Sequence, residues 1–432
     1  MSSGAFGVYV HVPFCSTRCD YCDFATWTDR AHLVDDYVDA CVADAERRAG
    51  ATPAATSVFF GGGTPSLLTA AQVTRVLRAV PRVPGAEVTV ECNPDSVDPA
   101  KLAAYREAGV TRLSFGVQSM RTHVLAALGR THDPANVGRA VRWARAAGFH
   151  TFNLDLIFGT PGETVDDWRA TLDAVLELEP PHVSAYALTV EPSTPLGRRV
   201  ATGSPGPDED DQATKYEVAD DRLTAAGLGW YEISNWARPG HECRHNLLYW
   251  SQGPYLGIGC AAHGHTPARG AERGTPGSRR WWNVRAPERY LARIRAGRSP
   301  EAGEEHLDGD AAADEALALA LRTRTGAPIA PAWAPLAGDL AALGLLEAAA
   351  AARGRAVLTR RGRLLGGEVT ARLLAARAAR TGRPARWHSV HSSANGPTPT
   401  ATGARVRPTG PSSSPPPVPI HLERTGPRSP SS

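Results

Sequence analysis

Three cysteines fall within eight residues, in the spacing Cys15-x3-Cys19-x2-Cys22. Three thiolates on one short loop can hold three irons of a cubane cluster, although a [4Fe–4S] centre usually takes four cysteines. The next short-range position, residue 24, is Phe. An iron left without a protein ligand can chelate a small molecule. Zinc is a rival reading and wants a fourth Cys or His nearby, and plain buried cysteines are another. The chain has seven cysteines, an odd number. Crowding of three of them favours metal or redox chemistry over disulfides.

A second set of reactive residues closes a series of short apolar runs. Residues 8–12, 57–60, 87–92, 111–116, 151–158, 182–190 and 230–233 read as strands, with helical patterns at 33–48, 70–79, 135–147 and 164–178. Strand, helix and strand at this spacing predict parallel βαβ units, and about six in series predict a complete or partial β/α barrel. At the ends of the runs stand Gly61-Gly62-Gly63-Thr64-Pro65, Glu91-Cys92-Asn93-Pro94, Gln118-Ser119, and Asp155 with Gly159-Thr160-Pro161. The C-terminal strand ends of such barrels carry the active site. Turn formation accounts for the glycines and prolines. It does not account for Glu91, Gln118 and Asp155 recurring at equivalent ends.

The rest of the composition narrows the function classes. The net charge of +3 is uneven: residues 386–432 hold five arginines and one glutamate, leaving 42 bases and 43 acids in the body. A near-neutral body argues against a broad electrostatic grip on nucleic acid. The start lacks a basic segment followed by an apolar one, and no apolar run approaches the roughly 18 residues that span a bilayer. A cytoplasmic protein without a transmembrane segment is expected. Residues 300–374 are rich in Ala and Leu, with 356–358 as a short strand, and read as a small, mainly helical unit. Ten prolines lie between Pro397 and Pro430 among Ser, Thr and Gly. Such a stretch cannot bury enough apolar surface to order itself, so the tail is expected to be disordered.

Tyr9-x-His11-x-Pro13-Phe14-Cys15-x3-Cys19-Asp20-Tyr21-Cys22 resembles the signature of the radical S-adenosylmethionine superfamily. Gly61–Pro65, Phe115-Gly116-Val117-Gln118-Ser119 and Leu128-Gly129-Arg130-Thr131-His132 are similar to the oxygen-independent coproporphyrinogen III oxidase group. The similarity is greatest to its haem-chaperone branch, HemW, and runs over about 9–374, without the tail. It implies an α/β fold: a partial (β/α)6-type radical SAM barrel over 1–240, a barrel extension over 241–299, a small mainly helical C-terminal domain over 300–385 and a disordered tail over 386–432. It also implies a [4Fe–4S] cluster on Cys15, Cys19 and Cys22, with S-adenosylmethionine on the open iron.

Residue by residue, the resemblance assigns contacts to S-adenosylmethionine that are chemically apt. Gly62, Gly63 and Thr64 form a bare loop whose backbone approaches the methionine amino group. Glu91 accepts from that amino group and Arg130 pairs with the carboxylate. Gln118 and Asp155 suit ribose hydroxyls, while Tyr9 and Tyr21 wall the cluster and the adenine. No residue is assigned as catalytic.

Phe24 decides between branches. The oxidases carry a further cysteine there and an N-terminal extension ahead of the cluster, whereas fourteen residues precede Cys15 here. Both departures put decarboxylation of coproporphyrinogen III in doubt. His245-Asn246-Leu247-Leu248-Tyr249-Trp250 resembles the haem-binding motif of the chaperone branch, with His245 as the iron ligand and the aromatics against the macrocycle. On the residues alone, a polar turn followed by packing aromatics is the preferred reading. The resemblance therefore implies haem binding and transfer to acceptor proteins, respiratory enzymes among them, with an electron donor for the cluster and room for a haem-linked dimer. A radical decarboxylase is the alternative, and an RNA-modifying enzyme is disfavoured by the charge. His241, Cys243, Cys260, His263 and His265 match no metal motif and are read as core or loop residues; Cys41 and Cys92 are read as small hydrophobes.

Overall fold

The computed structural model describes residues 4–267 and 277–381. Among them, twelve strands join in one sheet: β1 (Gly7–Val12), β2 (Ala55–Gly62), β3 (Arg82–Cys92), β4 (Arg112–Gln118), β5 (Phe152–Phe158), β6 (His182–Ala187), β7 (Gly229–Glu232), β8 (Asn235–Ala237), β9 (Tyr255–Ile258), β10 (His263–Pro267), β11 (Ser278–Asn283) and β12 (Glu301–Leu307). Their spatial order is β12-β11-β10-β9-β1-β2-β3-β4-β5-β6-β8-β7. Strands β1 to β6 are parallel and adjacent in sequence order. β1 pairs with β2 and β9, while β6 pairs with β5 and β8, so the six-stranded core stays open as a partial barrel.

Helices join the successive parallel strands, and their starts are written in the sequence. Thr69 and Thr164 each form a capping box, with Gln72 and Asp167. Asp98 and Asp133 accept from the first turn ahead of a proline at the first helical position. These devices satisfy amide groups that a helix start leaves unpaired.

Alternation along each strand then divides the molecule into two faces. Val8, Val10 and Val12, Val58 and Phe60, Val88 and Val90, and Leu113 and Phe115 are buried in the main core. The intervening residues Phe59, Glu91, Arg112, Ser114, Asn153, Asp155, His182 and Ser184 line a cavity on the other face. One face holds the fold together and the other presents chemistry.

Residues 241–307 extend the same sheet. β9 adds to the outer edge of β1 in parallel, and β10, β11 and β12 follow antiparallel. A separate apolar cluster, including Leu317, Leu321, Leu340, Leu346, Leu358 and Val369, holds the small C-terminal unit together. The expected short strand lies at Arg355–Ala356, paired antiparallel with Ala327–Pro328, with Leu358 in an isolated bridge to Leu346. The tail predicted to be disordered lies outside the described residues. No described helix is long and apolar enough to cross a membrane.

A buried ion pair fastens this unit to the barrel. Arg363 donates to both oxygens of Asp220 at 3.0 and 2.7 Å and lies 4.4 Å over the Trp230 ring. Lysine keeps the charge but loses the planar fork and the stacking. Arg363→Lys is expected to cost about 1–2 kcal/mol of stability, read as a lower urea midpoint. An unchanged midpoint would show that the pair fastens nothing.

Candidate functional site

The loop after β1 carries the three cysteines and is clamped from several sides. Cys15 N–H donates to Trp27 O at 3.0 Å, and Trp27 N–H to Pro13 O at 2.8 Å. Asp20 N–H donates to Leu128 O at 3.1 Å, while Arg199 pairs with the Asp20 carboxylate at 2.6 Å. All three thiols are half-buried and line the same cavity as the strand ends. Among the described residues, no three His, Cys, Asp or Glu side chains converge on a single metal ion. In a cubane each thiolate would take its own iron, so the three need not converge on one point. Burial pushes the Cys15 thiol up and the Cys22 thiol up to about 12. A coordinated iron would offset that cost, because metal ligation removes the thiol proton.

The glycine loop after β2 presses on this one. A Cβ on Gly63 would lie 2.6 Å from Phe14 O and 3.0 Å from Cys15 Sγ. Gly62 has φ +112°, and a Cβ there would meet the His11 ring at 2.4 Å. Gly62 N–H donates to Glu91 Oε2 at 3.1 Å. Thr64 Oγ1 donates to Cys15 Sγ at 3.7 Å. Only a bare backbone fits between the sulfur and the strand end.

Arg130, Gln118 and Asp155 complete the upper ring. Arg130 Nη2 donates to Gly116 O at 2.6 Å and Nη1 reaches Cys19 Sγ at 3.5 Å. Its Nε is buried and unpartnered. Gln118 has φ +62°, in the left-handed region rare for side-chain-bearing residues, and it follows a register shift against β5. Asp155 accepts from Ser114 Oγ and from Asn153 Nδ2, both at 2.7 Å. Burial, and then the neighbouring Asp155, push the Glu91 carboxyl up to about 8, against the Gly62 amide. An electron-rich strand end with an orphaned guanidinium suits a zwitterionic, cationic ligand such as S-adenosylmethionine.

Cys15, Cys19, Cys22, Tyr21, Gly62, Gly63, Thr64, Glu91, Gln118, Arg130 and Asp155 all line this cavity, and Tyr9 and His245 stand apart from it. Tyr9 is half-buried beside Phe59, with its hydroxyl 3.2 Å from His11 Nδ1. His245 lies deeper, in the helix Arg244–Trp250, against the amino ends of β1 and β2. Its Nδ1 is 2.9 Å from Ser57 Oγ and its Nε2 is 2.8 Å from the Tyr249 hydroxyl. The ring stacks on Phe59 at 5.3 Å, and burial lowers its pKa to about 3. Glu87 holds the start of this helix, accepting from His245 N–H at 3.1 Å and Arg244 N–H at 3.2 Å. The motif residue that faces the cavity is Asn246.

A directional chain of hydrogen bonds links the two levels. Cys243 N–H donates to the Tyr231 hydroxyl at 3.3 Å, and that hydroxyl lies 2.7 Å from His182 Nε2. His182 Nδ1 lies 2.5 Å from Asn153 Oδ1, and Asn153 donates on to Asp155. The network assigns the His182 proton to Nδ1. Arg112, Asn153 and His182 escaped the sequence reading. Their signal was present: Arg112-x-Ser114 with Gln118, and Asn153-x-Asp155, place polar residues on one alternating face of otherwise apolar strands.

Comparisons with known proteins agree with this geometry. Residues 9–175 match the model of the Radical SAM superfamily. The chain is 45% identical over 388 residues to a Mycobacterium tuberculosis protein named "Heme chaperone HemW", covering 87% of this chain and 96% of that one. A Bacillus subtilis protein of the same name is 33% identical over 380 residues, covering 84% and 97%. The fold superposes on coproporphyrinogen III oxidase (HemN) from Escherichia coli with a TM-score of 0.70 at 22% identity, over 85% of this chain and 89% of that one. This chain belongs to the HemW family of the radical SAM superfamily.

Proposed function

We propose that the protein is a haem chaperone, which binds haem and passes it to acceptor proteins. The carrying observation is the 45% identity, spanning 87% of this chain and 96% of the other, to a protein that bears that name. Phe24 lines the cavity where the oxidases place a further cysteine, which speaks against decarboxylation of coproporphyrinogen III. In this reading Cys15, Cys19 and Cys22 hold a [4Fe–4S] cluster, and its open iron takes S-adenosylmethionine. When bound and reduced, that pair supplies one-electron cleavage of the sulfonium. Gly62 and Gly63 admit the methionine backbone, Glu91 accepts from its amino group, and Arg130 turns its unpartnered Nε to the carboxylate. Gln118 and Asp155 hold the ribose.

Haem is bound at the helix Arg244–Trp250, with His245 as iron ligand. Burial keeps its imidazole neutral, and a neutral nitrogen is what iron requires. Ligation must displace either Ser57 or Tyr249 from the ring, so haem uptake shifts this helix. The test is a visible titration of anaerobically reconstituted protein with haem, for wild type and His245→Ala. Saturable one-to-one binding is expected, with Kd rising about tenfold or more in the variant. Wild-type protein that holds its cluster and takes up no haem would end this reading.

A further inference from the structure

The floor of the lumen contains a buried cation that, among the described residues, makes no direct ion pair; Asp155 senses its charge only at longer range. Arg112 on β4 is 2% exposed and lines the cavity between the Asp155 level and the helix Arg244–Trp250. Its Nη1 donates to His241 O at 2.8 Å, while its Nη2 is buried and has no partner. Among the described residues, no carboxylate forms an ion pair with it. The buried acids of this region are engaged elsewhere. Glu87 holds the start of the helix and Glu232 accepts from Asn235 and Ser234; half-buried Asp155 accepts from Ser114 and Asn153 and acts on Arg112 only through its field. His182, Asn153, Cys243 and Asn246, which share the cavity wall, add no charge when His182 is neutral. Burial and the nearby Arg112 hold His182 in that form.

A guanidinium stays protonated in any protein environment. Burying it unpaired is costly, and the cost is usually removed by an ion pair. Here it is left standing beside an open cavity. We propose that Arg112 makes the lumen floor a receptor for a carboxylate, the ligand being a carboxylate-bearing small molecule that lies between the S-adenosylmethionine level and Asn246. The planar fork of Arg112 suits a carboxylate, and the free Nη2 offers it a donor that Asp155 does not fill. The source of the carboxylate rests on the proposed function: it is a haem propionate if haem is the cargo, and otherwise a free organic acid.

The experiment uses the full chain with its cluster reconstituted and S-adenosylmethionine at saturation, so that Arg130 is filled. In one arm, thermal unfolding in sodium propionate is compared with sodium chloride at equal ionic strength. Wild type is expected to gain about 1–3 °C in propionate, and Arg112→Gln nothing. Arg112→Met serves as a second variant. Removing an unpaired charge in favour of a similar apolar volume should leave its midpoint level or higher. In the other arm, haem is compared with haem dimethyl ester, which has no carboxylate. Wild type is expected to prefer the acid by about tenfold or more, and Arg112→Met to show no preference.

A propionate effect together with the haem preference identifies a propionate as the ligand group. A propionate effect without it supports the site and points to a free organic acid. If wild type binds neither haem nor its ester, the chaperone reading fails while the propionate arm still decides this one. Equal midpoints in propionate and chloride, with no preference for the acid, would overturn the proposal.

Discussion

Serine at Cys15, Cys19 or Cys22 is expected to abolish the cluster, taking iron from about four per chain to near zero after anaerobic reconstitution. In the proposed three-ligand centre each thiolate would hold an iron that no other described side chain is placed to take. Cys41→Ser and Cys92→Ala are the internal controls, because these thiols are buried in the apolar core at 1% and 4% exposure. They should keep the full iron and the full colour. Gly63→Val is expected to give the same loss without replacing a ligand. Its Cβ would stand 2.6 Å from Phe14 O and 3.0 Å from Cys15 Sγ, so the cysteine loop must move outward. Iron and sulfide per chain, with circular dichroism to show an intact fold, decide the matter. A Cys19→Ser protein with undiminished iron would refute the three-ligand centre, and a fully loaded Gly63→Val would refute the cradle.

How far the sequence carries depends on how local each signal is. β1 to β6 were legible because their outward residues form apolar runs between well-capped helices. Glu91, Gln118 and Asp155 were legible because they stand at strand ends, where turn chemistry does not call for them. β12 was not legible: Glu-Ala-Gly-Glu-Glu-His-Leu has no apolar face. It is held at the sheet edge by pairing with β11 and by Arg279 and Arg280, which reach Glu301, Glu304 and Glu305 across the strands. Such cross-strand pairs exist only once the fold brings them opposite. The helix Arg244–Trp250 failed in another way. Its residue types suggested a haem ligand, but spacing cannot say that Ser57, nearly two hundred residues earlier, and Tyr249 take both imidazole nitrogens. Arg112 needed the structure too, since an unpartnered buried Nη2 is a property of the assembled lumen.

Glu91 should make both stability and S-adenosylmethionine affinity depend on pH. Its carboxyl titrates at about 8 in the folded chain, because it is buried first and because Asp155 adds a second negative charge nearby. In the unfolded chain it titrates at about 4.3. Between these values the folded state keeps a proton that the unfolded state has lost. Stability therefore falls as pH rises from about 4.5 to 8, by at most roughly 1.4 kcal/mol per pH unit. It is level below that window and level again above it. Glu91→Gln removes this slope, so the variant should match wild type near pH 4 and exceed its stability at pH 8. Affinity runs the opposite way. An amino group donating to Glu91 favours the ionised carboxylate. S-adenosylmethionine should thus bind about tenfold more tightly per pH unit between pH 6 and about 7.5, above which the ligand's own amino group begins to titrate. In Glu91→Gln the affinity should be weaker and flat over the same range. Titrations of cluster-loaded wild type and variant at pH 6, 6.8 and 7.5, paired with urea unfolding, separate the two effects. A wild-type affinity that does not move with pH would mean that Glu91 does not receive the amino group, because a carboxyl held near 8 cannot accept a new donor without a shift in its proton.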